Sequence, residues 1–186
     1  MRGVIRVETV VETEEVKNAL NALIGKPLWD AVAGEITATN VLFKFGRKFR
    51  ARDVYENPTI SEDDIFVGEV SIMVGCSWRV EMGETRLLCG CGDLHNEGGP
   101  MLTGLQKLIG DIVTEVSLGS FLDLLLVFNS GRRLRLFCDR KEDDLGYGHY
   151  DLCIIGEHEQ ILYAAVNDVV TCERTPRAHE SSNSGE

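Results

Sequence analysis

The chain has 186 residues, 44% of them hydrophobic and 26% charged, an ordinary globular composition with length enough for one core and little room for two. Its apolar runs, such as residues 124–128, fall far short of the about 20 residues that a membrane-spanning helix needs, which argues against a membrane protein. A formal charge of −11 disfavours direct binding to nucleic acid, where affinity comes from lysines and arginines that release counterions, and it suits a basic partner.

The first residues start basic but turn acidic with no long apolar stretch or small-residue cleavage site, so they do not read as a secretory signal, and the cytoplasm is the expected compartment. Residues 4–11 alternate weakly and read as a strand or a lead-in. The segment TEEVKNALNALIGKP then places Val16, Leu20, Leu23 and Ile24 on one helical face, with Thr13 as N-cap, Glu14 and Glu15 in the first turn, Gly25 at the stop and Pro27 barring continuation.

Beyond Trp29 the period changes from helical to two. In EITATNVLFKFG, Ile36, Ala38, Val41, Phe43 and Phe45 alternate with polar neighbours, and residues 50–64 read as a solvated loop. The clearest strand covers residues 66–81: Val70, Ile72, Val74, Cys76, Trp78 and Val80 share one face, and Ser71, Ser77, Arg79 and Glu81 the other. Gly83 turns it into the return strand TRLLCGCGD, and Gly98-Gly99-Pro100 ends the hairpin. MLTGLQKLIG offers one or two helical turns or a loop. Short apolar runs follow at 111–118, 121–130, 132–139, 149–156 and 160–166, with Asn129-Ser130-Gly131 as a hairpin turn and KEDDLGYG as an acidic loop. The fold class expected is therefore α+β: a predominantly antiparallel sheet of about seven to nine strands, one N-terminal helix and one short helix. Residues 1–172 form a single globular domain in this reading, and 173–186 have the composition of a disordered tail.

Cys89, Cys91, Asp93 and His95 crowd one short segment, with Cys76 upstream. If the return strand continues, Cys89 and Cys91 face the same way and Cys76 approaches from the paired strand, with His95 as a fourth ligand; against this, structural zinc sites use duplicated ligand pairs two to four residues apart, and only one Cys-x-Cys is present. No metal and no cofactor are assigned. A cysteine nucleophile needs a base and an electropositive setting, and only Arg79 and Arg86 offer one to Cys89 or Cys91 with His95. Acid–base work by Asp93 and His95 with Glu97 or Asp111 needs a convergence that spacing does not supply, and Asp93 reads instead as a turn residue bonded to backbone amides. No phosphate-cradling glycine loop is present. The six cysteines lack framework spacing and read as reduced core thiols.

Lys44, Arg47, Lys48, Arg50 and Arg52, interleaved with Phe45 and Phe49, would suggest nucleic acid on a basic protein. On this acidic one they read as a solvated strand end paired with the protein's own acidic loops. Two acidic stretches, Glu62, Asp63, Asp64 and Glu142, Asp143, Asp144, are the candidate contacts for a basic protein surface, where charge complementarity speeds association.

"LIGKPLWDA", "FKFG", "GEVSIMVGCSWRVE", "LLCGCGDL" and "LDLLLVFNSGRRLRLFCD", in that order over residues 20–156, resemble the small bacterial domains grouped with immunity-type proteins of polymorphic toxin systems. The distinctive element is a Cys-x-Trp-Arg strand followed by a Gly-x-x-Asp turn: Cys76, Trp78 and Arg79, then Gly90 and Asp93. The chain departs from the pattern at Cys91, where a serine is expected, which counts against a required ligand there. The resemblance implies a non-enzymatic protein-interaction domain with a protein partner, such as a toxin, by analogy of gene neighbourhood. The alternative is a small metal- or thiol-dependent enzyme using Cys89, Cys91, Asp93 and His95. Oligomeric state does not follow from the sequence.

Overall fold

The computed structural model describes residues 9–34, 38–50, 66–83, 85–94, 96–138, 149–166 and 169–176. In chain order the elements are β1 (Thr9–Val11), α1 (Thr13–Leu20), β2 (Leu28–Gly34), β3 (Ala38–Arg50), β4 (Phe66–Val74), β5 (Ser77–Met82), β6 (Arg86–Gly90), α2 (Pro100–Gln106), β7 (Val113–Leu118), β8 (Leu124–Phe128), β9 (Arg132–Phe137), β10 (Tyr150–Ile155), β11 (Glu159–Val166) and β12 (Val169–Pro176). They form a seven-stranded sheet, β1-β12-β11-β10-β4-β3-β2, and a five-stranded sheet, β6-β5-β9-β8-β7. Every pairing is antiparallel. The fold is thus the sheet-dominated α+β class that the alternation implies, with two helices.

Among the described residues the strands number twelve, more than the seven to nine expected, and they divide between two sheets. One reason is the stretch 66–81, which reads as a single strand and is cut in two. β4 belongs to the larger sheet and β5 to the smaller, with Gly75 and Cys76 between them. The amides of both residues donate to the carbonyl of His149, each at 2.9 Å, as the chain turns the corner. Because the alternation survives the corner, Val70, Ile72 and Val74 from one sheet and Cys76, Trp78 and Val80 from the other enter one core. Within it the Phe43 ring of β3 meets Trp78 of β5 edge-to-face, with centroids 6.3 Å apart. That arrangement suits the opposite polarity of ring edge and ring face.

The C-terminal boundary also moves. β12 pairs with β11 along its whole length, from Val169 opposite Val166 to Pro176 opposite Glu159, so the ladder passes Cys172 by four residues. Val170 and Cys172 point into the core while the polar residues that alternate with them, Thr171 and Glu173, face the other way, so the segment carries a strand's pattern in a tail's composition.

The first helix differs in detail. Its N-cap is Glu12, and after Leu20 the chain tightens into a 3-10 turn over Asn21–Leu23. Val16, Leu20 and Leu23 are buried, but the changed winding leaves Ile24 46% exposed instead of on the buried face. Gly25 follows at φ +80°, the left-handed conformation glycine adopts without strain, and its amide donates to Val113 at 2.8 Å. Among the described residues no helix is long and apolar enough to cross a membrane.

If Trp78 joins the sheets, Trp78→Ala should cost about 3–5 kcal/mol, the usual range for a buried aromatic. Urea denaturation measures this directly, and a midpoint unchanged from wild type would show that the ring does not carry the core.

Candidate functional site

The segment richest in chemically capable side chains is the β5–β6 hairpin with the turn that follows it. Gly83, at φ +61°, makes the hairpin turn. The register then runs Met82–Arg86, Glu81–Leu87, Val80–Cys89 and Arg79–Gly90, leaving Leu88 as an extra residue on β6. β6 stops at Gly90, so Cys91 belongs to the turn and does not extend the strand face that Cys89 occupies. Its amide still donates to the Trp78 carbonyl at 3.0 Å, which holds the turn against β5.

Cys89 is fully buried. It sits directly on helix α2 at Gly104, where an added Cβ would lie 2.4 Å from both Cβ and Sγ of Cys89. Glycine is required there by contact, at a φ that any residue could adopt. Burial, with a smaller contribution from the Asp93 carboxylate and a small opposing one from Lys107, pushes the Cys89 thiol up to about 12 from its ordinary 9.0. At neutral pH the sulfur is a protonated packing group, whereas a nucleophile or metal ligand is a thiolate.

Asp93 is bound twice to Gly90: its Oδ2 accepts the Gly90 amide at 2.8 Å, and its own amide donates to the Gly90 carbonyl at 3.1 Å. Gly90 itself lies against β5, because a Cβ there would approach the Trp78 carbonyl to 3.0 Å. Trp78, Arg79, Gly90 and Asp93 therefore gather at one end of the hairpin. Cys76 does not join them. It lies at the sheet-to-sheet corner, four residues along β5 from the position opposite Cys89, or about 13 Å at strand rise. His95 lies outside the described residues. Among the described residues no three His, Cys, Asp or Glu side chains group as metal ligands. The convergence of Cys76, Cys89 and Cys91 that a four-ligand site requires is not formed.

Arg79 and Glu81 point to the opposite face of the smaller sheet, where sequence reading missed a charged cluster. Glu81 accepts from Nε of Arg79 and, at 3.0 Å, from Nε of Arg135 across the ladder, and the Arg79 guanidinium lies 4.8 Å from the centre of the Phe137 ring. The alternation in RRLRLF, paired against SWRVEM, is the signal that would have found it. Burial acts to raise the Glu81 pKa, but the hydrogen bonds and charges of the two arginines outweigh it and hold the carboxyl below its ordinary 4.5. The stability this group contributes is in place above pH 4.5 and is lost as the pH falls through the lowered folded value.

The basic strand is likewise occupied. Lys44, with a side chain only 3% exposed, pairs with Asp30 at 2.8 Å, and Lys44 and Lys48 lie 5.2 and 4.4 Å from the centre of the Trp29 ring. Gly46, at φ +72°, turns the strand so that the Arg47 amide reaches Glu69 at 3.1 Å, while Lys26 binds the same carboxylate at 2.8 Å. The acidic partners seen are strand residues, Asp30 and Glu69, where sequence reading pointed to loops. Glu62, Asp63, Asp64, Glu142, Asp143 and Asp144 lie outside the described residues. No protein-family model matches the chain, and no curated protein or solved structure matches it either.

The contact between Cys89 and Gly104 decides the sign of one substitution. Gly→Ala in an open helix position gains up to about 1 kcal/mol. Here overpacking should dominate, so Gly104→Ala should lose about 1–3 kcal/mol. Chemical denaturation reads the sign, and a stabilised variant would contradict the packing described.

Proposed function

We propose that this protein is a cytoplasmic bacterial interaction domain of the immunity type, a non-enzymatic binder that occludes a basic partner such as a toxin. The observation that carries the reading is the charge balance. The chain has 30 acidic residues against 19 basic ones, and several of the basic side chains are already engaged by the protein's own carboxylates. Lys26 is held by Glu69, Lys44 by Asp30, Arg132 by Asp111, and Arg79 and Arg135 by Glu81. The surplus is acidic, and residues 62–64 and 142–144 are the contacts proposed for a partner. Such a surplus speeds encounter with a positively charged surface and disfavours wrong partners.

The hairpin chemistry supports this reading over an enzyme built on Cys89, Cys91, Asp93 and His95. Cys89 is a buried thiol protonated at neutral pH, and Asp93 is committed to the Gly90 backbone. The Trp78, Arg79, Gly90 and Asp93 motif then serves to shape the scaffold.

Co-expression with the product of a neighbouring toxin-like gene tests the proposal. Protection should be complete only at one equivalent of this protein per toxin. The purified complex should weaken by about tenfold or more when salt is raised from low to several times physiological, because exposed charge pairs are screened. Protection by a small fraction of an equivalent would indicate catalysis, and neither protection nor a complex would reject the reading.

A further inference from the structure

We propose that Cys76 and Cys138 are a redox-active dithiol that closes into a disulfide across the end of the β5–β9 ladder. The pairing runs Trp78–Leu136 and Ser77–Phe137, so the next step brings Cys76 opposite Cys138. Both residues continue the inward alternation of their strands, Cys76 after Val80 and Trp78, and Cys138 after Leu134 and Leu136, and both are buried. Their backbones are turned away from one another: the Cys76 amide donates to the His149 carbonyl at 2.9 Å, and the Cys138 amide to Oδ1 of Asp123 at 2.7 Å. This is the arrangement of a non-hydrogen-bonded antiparallel pair, whose Cα atoms stand about 4.5 Å apart with side chains on the same face. A disulfide needs a Cα separation of about 4.4–6.8 Å.

The surroundings agree. Both thiols act on the hydroxyl of Tyr150, the first residue of β10, which is buried with no hydrogen-bond partner among the described residues. Both sulfurs thus lie near the same buried hydroxyl at the seam where the chain passes between sheets, and Sγ of Cys138 also donates to the Leu122 carbonyl at 3.3 Å. None of the other four cysteines has a cysteine across from it. Cys89 faces Val80, Cys153 faces Leu162 and Ser71, Cys172 faces Thr9 and Tyr163, and Cys91 lies in a turn. None of the six is joined in a disulfide in the structure described.

The chemistry requires a two-electron oxidant, and a peroxide supplies it. One thiol gives up its proton and the thiolate attacks a peroxide oxygen; the O–O bond breaks, the departing hydroxide takes that proton, and a sulfenic acid and one water form. The second sulfur, likewise as its thiolate, attacks the sulfenic sulfur; the S–O bond breaks, the S–S bond forms, and the departing hydroxide leaves with the second proton as water. Two thiols and hydrogen peroxide become one disulfide and two waters. The bond closes a loop of about 60 residues and ties β5 to β9 beside the corner, which should raise the thermal midpoint by about 5–15 °C.

The test treats the full native chain with hydrogen peroxide and maps the unreduced protein by proteolysis and mass spectrometry. Expected is a loss of two hydrogens in intact mass and one dominant cross-linked peptide pair containing Cys76 and Cys138, both reversed by a dithiol reductant. Cys76→Ser and Cys138→Ser should each abolish the cross-link, and Cys89→Ser should retain it. Because these serines replace buried thiols, the wild-type chain supplies a second readout that does not depend on their folding, a reductant-reversible rise in the thermal midpoint. The proposal is overturned if the cross-link forms only in denaturant, if other cysteines pair instead, or if oxygen adds to the thiols without a cross-link.

Discussion

The amides of Gly75 and Cys76 both donate to the carbonyl of His149, and that pair of bonds holds the chain where it leaves one sheet for the other. His149 is itself anchored, since its amide donates to Ala165 of β11 at 2.7 Å. The corner thus ties β4, β5, β10 and β11 together at one place. The inward side of β4 remains the inward side of β5 through the turn, so a single core serves both sheets. Trp78 lies two residues beyond the corner and reaches back to Phe43 of the larger sheet. The hairpin, the α2 contact and the charged outer face all take their positions from a β5 oriented this way.

Much of this is written in the sequence as period-two alternation. The run from Val70 to Val80 identifies the inward side chains of both strands correctly, and Gly83 and Gly25 mark turns through conformations that other residues resist. The division into two sheets is hidden by that same regularity, because the alternation continues across Gly75 and Cys76 and records only which side is buried. β12 is hidden for another reason: polar residues alternate with the buried Val170 and Cys172, Thr171 between them and Glu173 after them, so the segment has the polarity of a tail.

The apparent site shows the limit of local spacing. Cys-x-Cys followed by Asp and His looks like a ligand set, but three long-range facts decide otherwise. An extra residue at Leu88 shifts the register of the return strand, the strand ends before Cys91, and Gly104, fifteen residues away from Cys89, presses helix backbone onto that sulfur. Asp93 is legible because a turn aspartate bonds backbone close to itself. The cluster of Arg79, Glu81 and Arg135 needs the pairing of β5 with β9, and so does the opposition of Cys76 and Cys138 that we propose. Both become visible only when two segments some sixty residues apart are set in register.

The central claim is that the corner makes one cooperative unit of two sheets, and native-state hydrogen exchange of the Gly75 and Cys76 amides tests it most directly. Both should exchange only through global opening, with the same free energy as core amides of β4, β5, β9 and β10, in the range of about 5–15 kcal/mol typical of a domain. Corner amides that exchange far faster than those cores, or sheets that exchange with two distinct free energies, would contradict it.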